Sequence, residues 1–197
     1  MITAFFSGDN GKSFSPPADL ITDRKNELNY DDPFFTVFPD KTILGLFWTY
    51  RKDTEETIEV HRSVSCNNGR SWSAPEPVGK LGQISVPLTL DKQTIIVASN
   101  FRRQTGGIRL WISYDRGLTF NREAPFQMWD PRQEKIAGEQ VAGESGVCQS
   151  QGVWNALEGF TFGTPGLLDL GEGAVLLTYY ATISGITHIR ACRFLLY

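Results

Sequence analysis

Acidic residues, arginines and tyrosines lie beside apolar runs at several separate places in this 197-residue sequence. Asp31 and Asp32 begin one run, Arg51 follows the next, and Tyr179 and Tyr180 lie towards the end of another. Carboxylates can move protons as general acids or bases, and a tyrosine can act as a nucleophile. Arginine grips an anionic carboxylate through paired hydrogen bonds that lysine cannot imitate. Together these residue types suit a site for an anionic ligand, provided that the fold brings them together.

An eight-residue motif that occurs three times indicates which elements must position those side chains. It reads Ser-x-Asp/Asn-x-Gly-x-Ser/Thr-aromatic and covers residues 7–14, 65–72 and 113–120. Its Asp or Asn can bond backbone donors of its own turn, its Gly takes a left-handed conformation, and its hydroxyls close more of the loop. We predict that each copy is a hairpin turn whose terminal aromatic side chain plugs into the core beneath it. The defining residues are Ser7, Asp9, Gly11 and Phe14 in the first copy, Ser65, Asn67, Gly69 and Trp72 in the second, and Ser113, Asp115, Gly117 and Phe120 in the third.

Apolar runs rich in β-forming residues precede each motif and recur between the motifs. Residues 42–50 are apolar on both faces, as expected of an inner strand that packs between two neighbouring sheets. Pro33, Pro87 and Pro165 each lie in a predicted first strand, and we interpret them as matching positions. Repeats of about this length indicate a β-propeller of four-stranded antiparallel blades.

The predicted blades make the chain one all-β unit of about three and a half blades. A segment at 121–161 separates the last two blades, and loops of that length are uncommon unless they are functional, so we interpret it as a candidate lid. The blade pieces are expected at about 1–24, 28–80, 82–125 and 160–197.

The three motifs resemble the Asp-boxes of the sialidase-like (BNR repeat) six-bladed β-propeller family. The resemblance implies that each box caps the turn between the third and fourth strands of a blade, on the face opposite the binding site. It therefore implies a structural role for the boxes. The chain resembles the C-terminal part of such a propeller, which a missing N-terminal half or another subunit would complete, unless the stack of blades stays open.

The resemblance also implies an activity at the face opposite the boxes, where first strands begin and second strands end around an axial funnel. An exo-α-sialidase-like glycoside hydrolase would act there on terminal sialic acid or a related anionic sugar. It would use arginines for the sugar carboxylate, a tyrosine nucleophile, a glutamate as its base and an aspartate as the acid. Tyr179 and Tyr180 alternate across a strand, so at most one can face the funnel. The candidate catalytic residues are Asp32, Glu144, Tyr179 and Tyr180, and the candidate substrate-binding residues are Asp31, Arg51, Asn100, Arg102 and Arg103.

The same scaffold supports an alternative hypothesis, a non-catalytic glycan-binding or protein-interaction propeller. Such a protein would use the same arginines and aromatic residues without the nucleophile, base and acid. Propellers host unrelated activities, so the fold by itself does not choose between the two.

The resemblance implies a glycan or sialoside as partner and, for completion of the propeller, another subunit or a missing half. A formal net charge of −3 and a pI of about 5.4 argue against nucleic acid, and no apolar run is long enough to span a bilayer. Two histidines and three scattered cysteines form no metal-binding pattern, so we expect neither a metal nor another cofactor. The start of the chain lacks a signal-peptide pattern, so secretion or periplasmic export would need a signal upstream of Met1.

Overall fold

The computed structural model describes residues 1–101, 106–120, 125–131, 162–183 and 186–196, and these residues form thirteen β-strands. The strands run, in chain order, as β1 Ile2–Ala4, β2 Ala18–Ile21, β3 Leu28–Val37, β4 Ile43–Arg51, β5 Val60–Ser65, β6 Glu76–Gly79, β7 Ser85–Thr89, β8 Ile95–Phe101, β9 Gly107–Ser113, β10 Phe126–Trp129, β11 Phe162–Gly171, β12 Ala174–Ile183 and β13 Ile186–Leu195.

The strands form four sheets, and every pair of neighbouring strands is antiparallel. The first sheet is β1-β2, the second β3-β4-β5-β6, the third β7-β8-β9-β10 and the fourth β11-β12-β13. Consecutive strands are neighbours throughout, so each sheet is a meander. The expected all-β class and the antiparallel four-stranded blades are confirmed.

The sheets pack face to face, and their middle strands are therefore buried on both sides. β4 is buried over residues 44–50 and β8 over residues 95–100. Removal of each such side chain from water contributes about 1.5–3 kcal/mol, which makes this packing the main source of stability. The cluster between the second and third sheets includes Leu44, Leu46, Ile95, Val97 and Trp111, and the cluster between the third and fourth includes Ile96, Ala98, Ile108, Val175 and Leu177.

Polar contacts join the second and third sheets at two places. The Thr36 and Thr89 hydroxyls lie 2.8 Å apart, and the Thr89 N–H donates to the Thr36 hydroxyl oxygen at 3.0 Å. The Arg116 guanidinium donates to both oxygens of Asp40 at 2.8 and 3.0 Å and lies 4.2 Å from the Phe38 ring centre. Hydrogen bonds from Arg116, and then from Thr42, hold the pKa of Asp40 well below its usual value. These contacts fix how far one sheet can slide on the next.

The three motif loops (residues 7–14, 65–72 and 113–120) share one hydrogen-bonded conformation. In the third loop Ser113 Oγ donates to Asp115 Oδ1 at 2.7 Å and accepts the Gly117 N–H at 2.8 Å, while Asp115 accepts the N–H and hydroxyl of Thr119 at 2.9 and 2.6 Å. Arg116 and Gly117 both have positive φ, at 62° and 80°. The same main-chain and serine contacts occur in the other two loops. Side chains thus satisfy donors that the hairpin leaves unpaired.

The terminal aromatic residues of the three loops are not equally buried. Phe120 is buried and Trp72 is half-buried with its Nε1 donating to the Gly69 carbonyl at 2.9 Å, whereas Phe14 is 63% exposed. The prediction that each aromatic residue plugs into the core is therefore wrong for Phe14. The first sheet has only two strands in the described part of the chain, so no inner strand lies beneath that ring.

Two of the three prolines, Pro33 and Pro165, occupy matching positions, and Pro87 does not. Pro33 and Pro165 lie where the β3–β4 and β11–β12 ladders shift register, each after a residue of positive φ. Pro87 instead pairs regularly with Val97, at the position that Phe35 holds in β3. β7 lacks the bulge of the other two first strands, which is why the interpretation of matching positions was wrong for Pro87.

The fold suggests a test of the motif-loop hydrogen bonds, in which Asp115 is compared with Asn67, its counterpart in the second loop. Burial alone would raise the pKa of Asp115, but hydrogen bonds from Thr119 and Ser113 lower it overall. The carboxylate therefore stabilises the fold at pH values above about 4, and that contribution is lost as the pH falls below this value. We expect Asp115→Ala to lower the free energy of unfolding by about 1–2 kcal/mol at pH 7 and by less at pH 3, measured by urea unfolding.

The control variant is Asn67→Ala, which removes an uncharged side chain from an equivalent loop. Its destabilisation should be the same at pH 7 and pH 3. An Asp115→Ala effect that did not shrink in acid would contradict the stabilising role of the ionised carboxylate.

Candidate functional site

One edge of the sheets carries the motif loops, and the opposite edge carries the predicted site. In the second sheet Ile43 pairs with Val37 and with Ser65, the first residue of a motif loop. At the far end of the same ladder Leu28 pairs with Arg51. The starts of the first strands and the ends of the second strands therefore lie together, away from the motif loops.

A bulge at this opposite edge separates two consecutive carboxylates. The β3–β4 ladder shifts between Asp31 and Phe34, Asp32 has a φ of 45°, and Pro33 has no N–H to offer the ladder. Aspartate tolerates this left-handed conformation better than most residues, which explains why it stands before the proline. The Asp31 side chain is half-buried against β4, while Asp32 is exposed. The bulge thus presents Asp32 to solvent beside an anchored neighbour.

Tyr50 anchors Asp31. The Tyr50 hydroxyl donates to Asp31 Oδ2 at 2.8 Å, and the Tyr50 ring lies 5.5 Å from the ring of Trp48. Burial, together with the hydrogen bond to Asp31 and the charge of Asp31, raises the pKa of Tyr50 to about 12. Trp48 Nε1 donates to Thr57 Oγ1 at 3.2 Å. The phenol is therefore protonated at neutral pH, with a carboxylate in place to receive its proton.

These side chains lie on the face of the second sheet that packs against the third sheet. Leu46, Trp48 and Tyr50 are every second residue of β4, so they lie on the same face, which packs on the third sheet. Ser85 lies on the face of β7 that carries Thr89, which bonds Thr36 of the second sheet. Ser85 Oγ is buried without a hydrogen-bond partner in the described part of the chain. The tyrosine and carboxylate of the second sheet and the serine hydroxyl of the third sheet thus lie on the faces by which these two sheets pack together.

Arg51 ends β4 at the same edge, and alternation along the strand puts it on the face opposite to Tyr50. Its side chain is half-exposed, and its ion pair with Glu56 spans 3.9 Å, from Nε to Oε2. An exposed pair of that length stabilises the fold by less than about 1 kcal/mol. The guanidinium can therefore exchange Glu56 for an anionic ligand at little cost.

The structure places three further candidates on other sheet faces. Asn100 is fully buried, and its Oδ1 accepts the Ile84 N–H at 2.8 Å, a contact that fixes the start of β7. Tyr179 is buried between the third and fourth sheets, with its ring 5.5 Å from that of Trp129. Tyr180 is half-buried on the other face of β12, in agreement with the alternation predicted from the sequence.

Three candidates, Arg102, Arg103 and Glu144, lie outside the described residues, as does most of the candidate lid. In the described ranges, no group of three or more His, Cys, Asp and Glu side chains could hold a metal ion. No helix in those ranges is long and apolar enough to cross a membrane.

The sequence prediction assigned no role to Tyr50 or Ser85. Tyr50 immediately precedes Arg51 at the end of an apolar strand, and that position does place it with the other residues expected around the funnel. Its contact with Asp31 depends on the β3–β4 register, which the bulge shifts, and no local pattern reveals that register.

Comparison with solved structures identifies the fold. A protein of unknown function from Dyadobacter fermentans aligns with a TM-score of 0.64 at 17% identity, over 96% of this chain and 44% of its own. The leech intramolecular trans-sialidase, complexed with 2,7-anhydro-Neu5Ac, aligns with a TM-score of 0.54 at 14% identity, over 96% and 26%. The endo-arabinase of Bacteroides thetaiotaomicron aligns with a TM-score of 0.52 at 10% identity, over 92% and 61%.

The chain therefore has the sialidase-like β-propeller fold, which glycoside hydrolases of different specificity share. It spans between about a quarter and about three fifths of the length of these three structures. No protein-family model matches the chain, and no curated protein sequence matches it.

The Tyr50–Asp31 hydrogen bond leads to a prediction that absorbance spectroscopy can test. Because the pKa of Tyr50 is raised to about 12, its phenol should remain protonated up to about pH 11. Wild type and Tyr50→Phe should therefore show the same rise in phenolate absorbance near 295 nm up to that pH. Tyr114→Phe removes an exposed phenol and serves as the control. A phenolate signal near pH 10 that disappears in Tyr50→Phe would contradict the buried hydrogen bond.

Proposed function

We propose that the chain carries catalytic residues of a propeller glycoside hydrolase that acts on a terminal sugar, with an anionic sugar such as sialic acid as its preferred substrate. The observation that carries this proposal is the 2.8 Å hydrogen bond from Tyr50 to Asp31, beside the exposed Asp32. A tyrosine paired with a carboxylate is the arrangement that a neutral nucleophile and its base require. The likeness to sialidase and arabinase propellers supports a sugar substrate in general.

In the first step of the proposed reaction the Tyr50 oxygen attacks the anomeric carbon, and its proton passes to Asp31. The glycosidic carbon–oxygen bond breaks, and Asp32, in its protonated form, gives its proton to the leaving oxygen. In the second step water attacks the anomeric carbon of the tyrosyl intermediate and loses a proton to Asp32. The Tyr50 oxygen leaves and recovers its proton from Asp31, so the enzyme is restored and the anomeric configuration is retained.

This assignment changes two of the roles expected from the sequence. Tyr50 takes the place of Tyr179 and Tyr180 as the nucleophile, because its hydroxyl donates to the Asp31 carboxylate at the site edge. Asp31 takes the place of Glu144 as the base. Asp32 keeps the role of the acid.

Arg51 supports the preference for an anionic sugar. Its guanidinium is half-exposed at the same edge and only loosely paired with Glu56, so it can grip a sugar carboxylate. Arg102 and Arg103 directly follow β8 in the sequence, just as Arg51 ends β4. They remain predicted to bind the same sugar carboxylate.

A non-catalytic glycan-binding propeller is the second candidate, and one observation favours it. Tyr50 and Trp48 are only 5% and 4% exposed. Such burial also fits a Tyr50–Asp31 pair that only supports the fold. In that case Tyr50 holds the bulge, and Asp32 and Arg51 bind the sugar without cleaving it.

Hydrolysis of a fluorogenic sialoside separates these candidates, with a fluorogenic α-L-arabinofuranoside as the neutral comparison. A catalytic site predicts that Tyr50→Phe and Asp32→Asn each lower kcat by at least about 100-fold and change KM little. Asp169→Asn, which alters an exposed carboxylate at the motif-loop edge, is the control and should keep full activity.

Arg51→Ala tests the substrate class. It should raise KM for the sialoside and leave KM for any neutral sugar unchanged, while Arg70→Ala, an exposed arginine in a motif loop, should change neither. Sialoside binding without turnover would favour the second candidate. A folded protein that neither binds nor cleaves a sugar would refute both.

A further inference from the structure

The fourth sheet repeats the bulge of the second sheet near the start of its first strand. In both sheets the pair before the bulge and the pair after it are three residues apart on the first strand and two residues apart on the second. These pairs are Asp31 with Trp48 and Phe34 with Leu46 in the second sheet, and Gly163 with Tyr180 and Gly166 with Thr178 in the fourth. Each bulge therefore adds one residue to a first strand, at the edge away from the motif loops.

Thr164 in the bulge of the fourth sheet corresponds to Asp32 in the bulge of the second. Each of the two residues precedes a proline, and their φ values are 46° and 45°. Both side chains are exposed. Bulges redirect side chains and are common beside active sites. In the second sheet this position carries the carboxylate to which we assign the role of the acid, so the same position in the fourth sheet suits contact with a ligand.

The two bulges lie on either side of one strand. β7 packs against β3 on one side and against β11 on the other. β7 pairs regularly with β8 and has no bulge of its own. Thr164 and Asp32 therefore flank the start of β7 at the same edge of the sheets.

The conformation of Thr164 is unfavourable for a threonine. A β-branched side chain crowds the backbone at positive φ, and a following proline restricts the backbone further. Aspartate tolerates this region of φ better, so Asp32 does not carry the same strain. The Thr164 hydroxyl forms no hydrogen bond with any residue in the described ranges that would offset the strain. Residues held in such conformations cluster at ligand-binding sites.

We propose that Thr164 is a specificity-determining residue whose hydroxyl hydrogen-bonds a hydroxyl group of the sugar bound beside Asp32. This assignment rests on the proposed function and adds to it a contact with the uncharged part of the sugar. Arg51 binds the sugar carboxylate, and Thr164 recognises a sugar hydroxyl. The threonine hydroxyl suits that role because it can donate and accept a hydrogen bond, as a sugar hydroxyl also can.

Two substitutions of Thr164 separate recognition by the hydroxyl from backbone strain. Valine keeps the branched shape and lacks the hydroxyl, so Thr164→Val should raise KM for the fluorogenic sialoside by about 3–10-fold, with kcat and Tm unchanged. Serine keeps the hydroxyl and lacks the branch. Thr164→Ser should therefore keep the wild-type KM and raise Tm by about 2 °C, because part of the strain is relieved.

Thr3→Val, at an exposed threonine of β1, controls for the loss of a surface hydroxyl and should leave KM and Tm unchanged. If the sialoside is bound without turnover, its Kd takes the place of KM in the same comparison. A wild-type value in Thr164→Val, an equal rise in Thr164→Ser, or an unchanged Tm in Thr164→Ser would overturn the role of Thr164 and leave the proposed function standing. A folded wild type that neither binds nor cleaves the sialoside would refute both.

Discussion

Burial of apolar sheet faces against one another is the interaction on which the rest of this structure depends. β4 and β8 are apolar on both sides because each of their sheets packs against neighbouring residues on both faces. The packing holds the strand ends in place, and the strand ends hold the polar residues. Tyr50 reaches Asp31 because β3 and β4 are adjacent strands of a sheet whose position is fixed by its neighbours. The positions of the polar residues at the site edge therefore depend on packing in the core, away from that edge.

The two edges of the sheets use polar groups in different ways. At the motif-loop edge, Ser113 and Asp115 form their hydrogen bonds within their own loop, so the loop conformation is stabilised locally. At the opposite edge, Asp31 is bound by a residue of the next strand and Asp32 is left exposed. Self-sufficient loops suit a supporting role, and an exposed carboxylate beside an anchored one suits contact with a ligand.

The parts of this fold that could be predicted from the sequence are those that local chemistry determines. The serine, the Asp or Asn and the glycine of each motif specify a turn within eight residues, and the two-sided apolar run that ends at Tyr50 specifies an inner strand. The errors concern tertiary context. The exposure of Phe14 depends on which strands lie beneath it, and the position of Pro87 depends on the absence of a bulge in β7. The Tyr50–Asp31 contact depends on a register that the bulge shifts, so residue spacing could not reveal it.

One face of the fourth sheet is covered by no other sheet in the described part of the chain, and this face bears on folding. In a stack of sheets that is made one sheet at a time, every sheet exposes such a face until the next one is synthesised. Leu168, Leu176 and Ile189 show how much apolar surface that stage presents to solvent. Each added sheet buries one apolar face and exposes another, so a partly synthesised stack of this kind always presents a surface that is prone to aggregation.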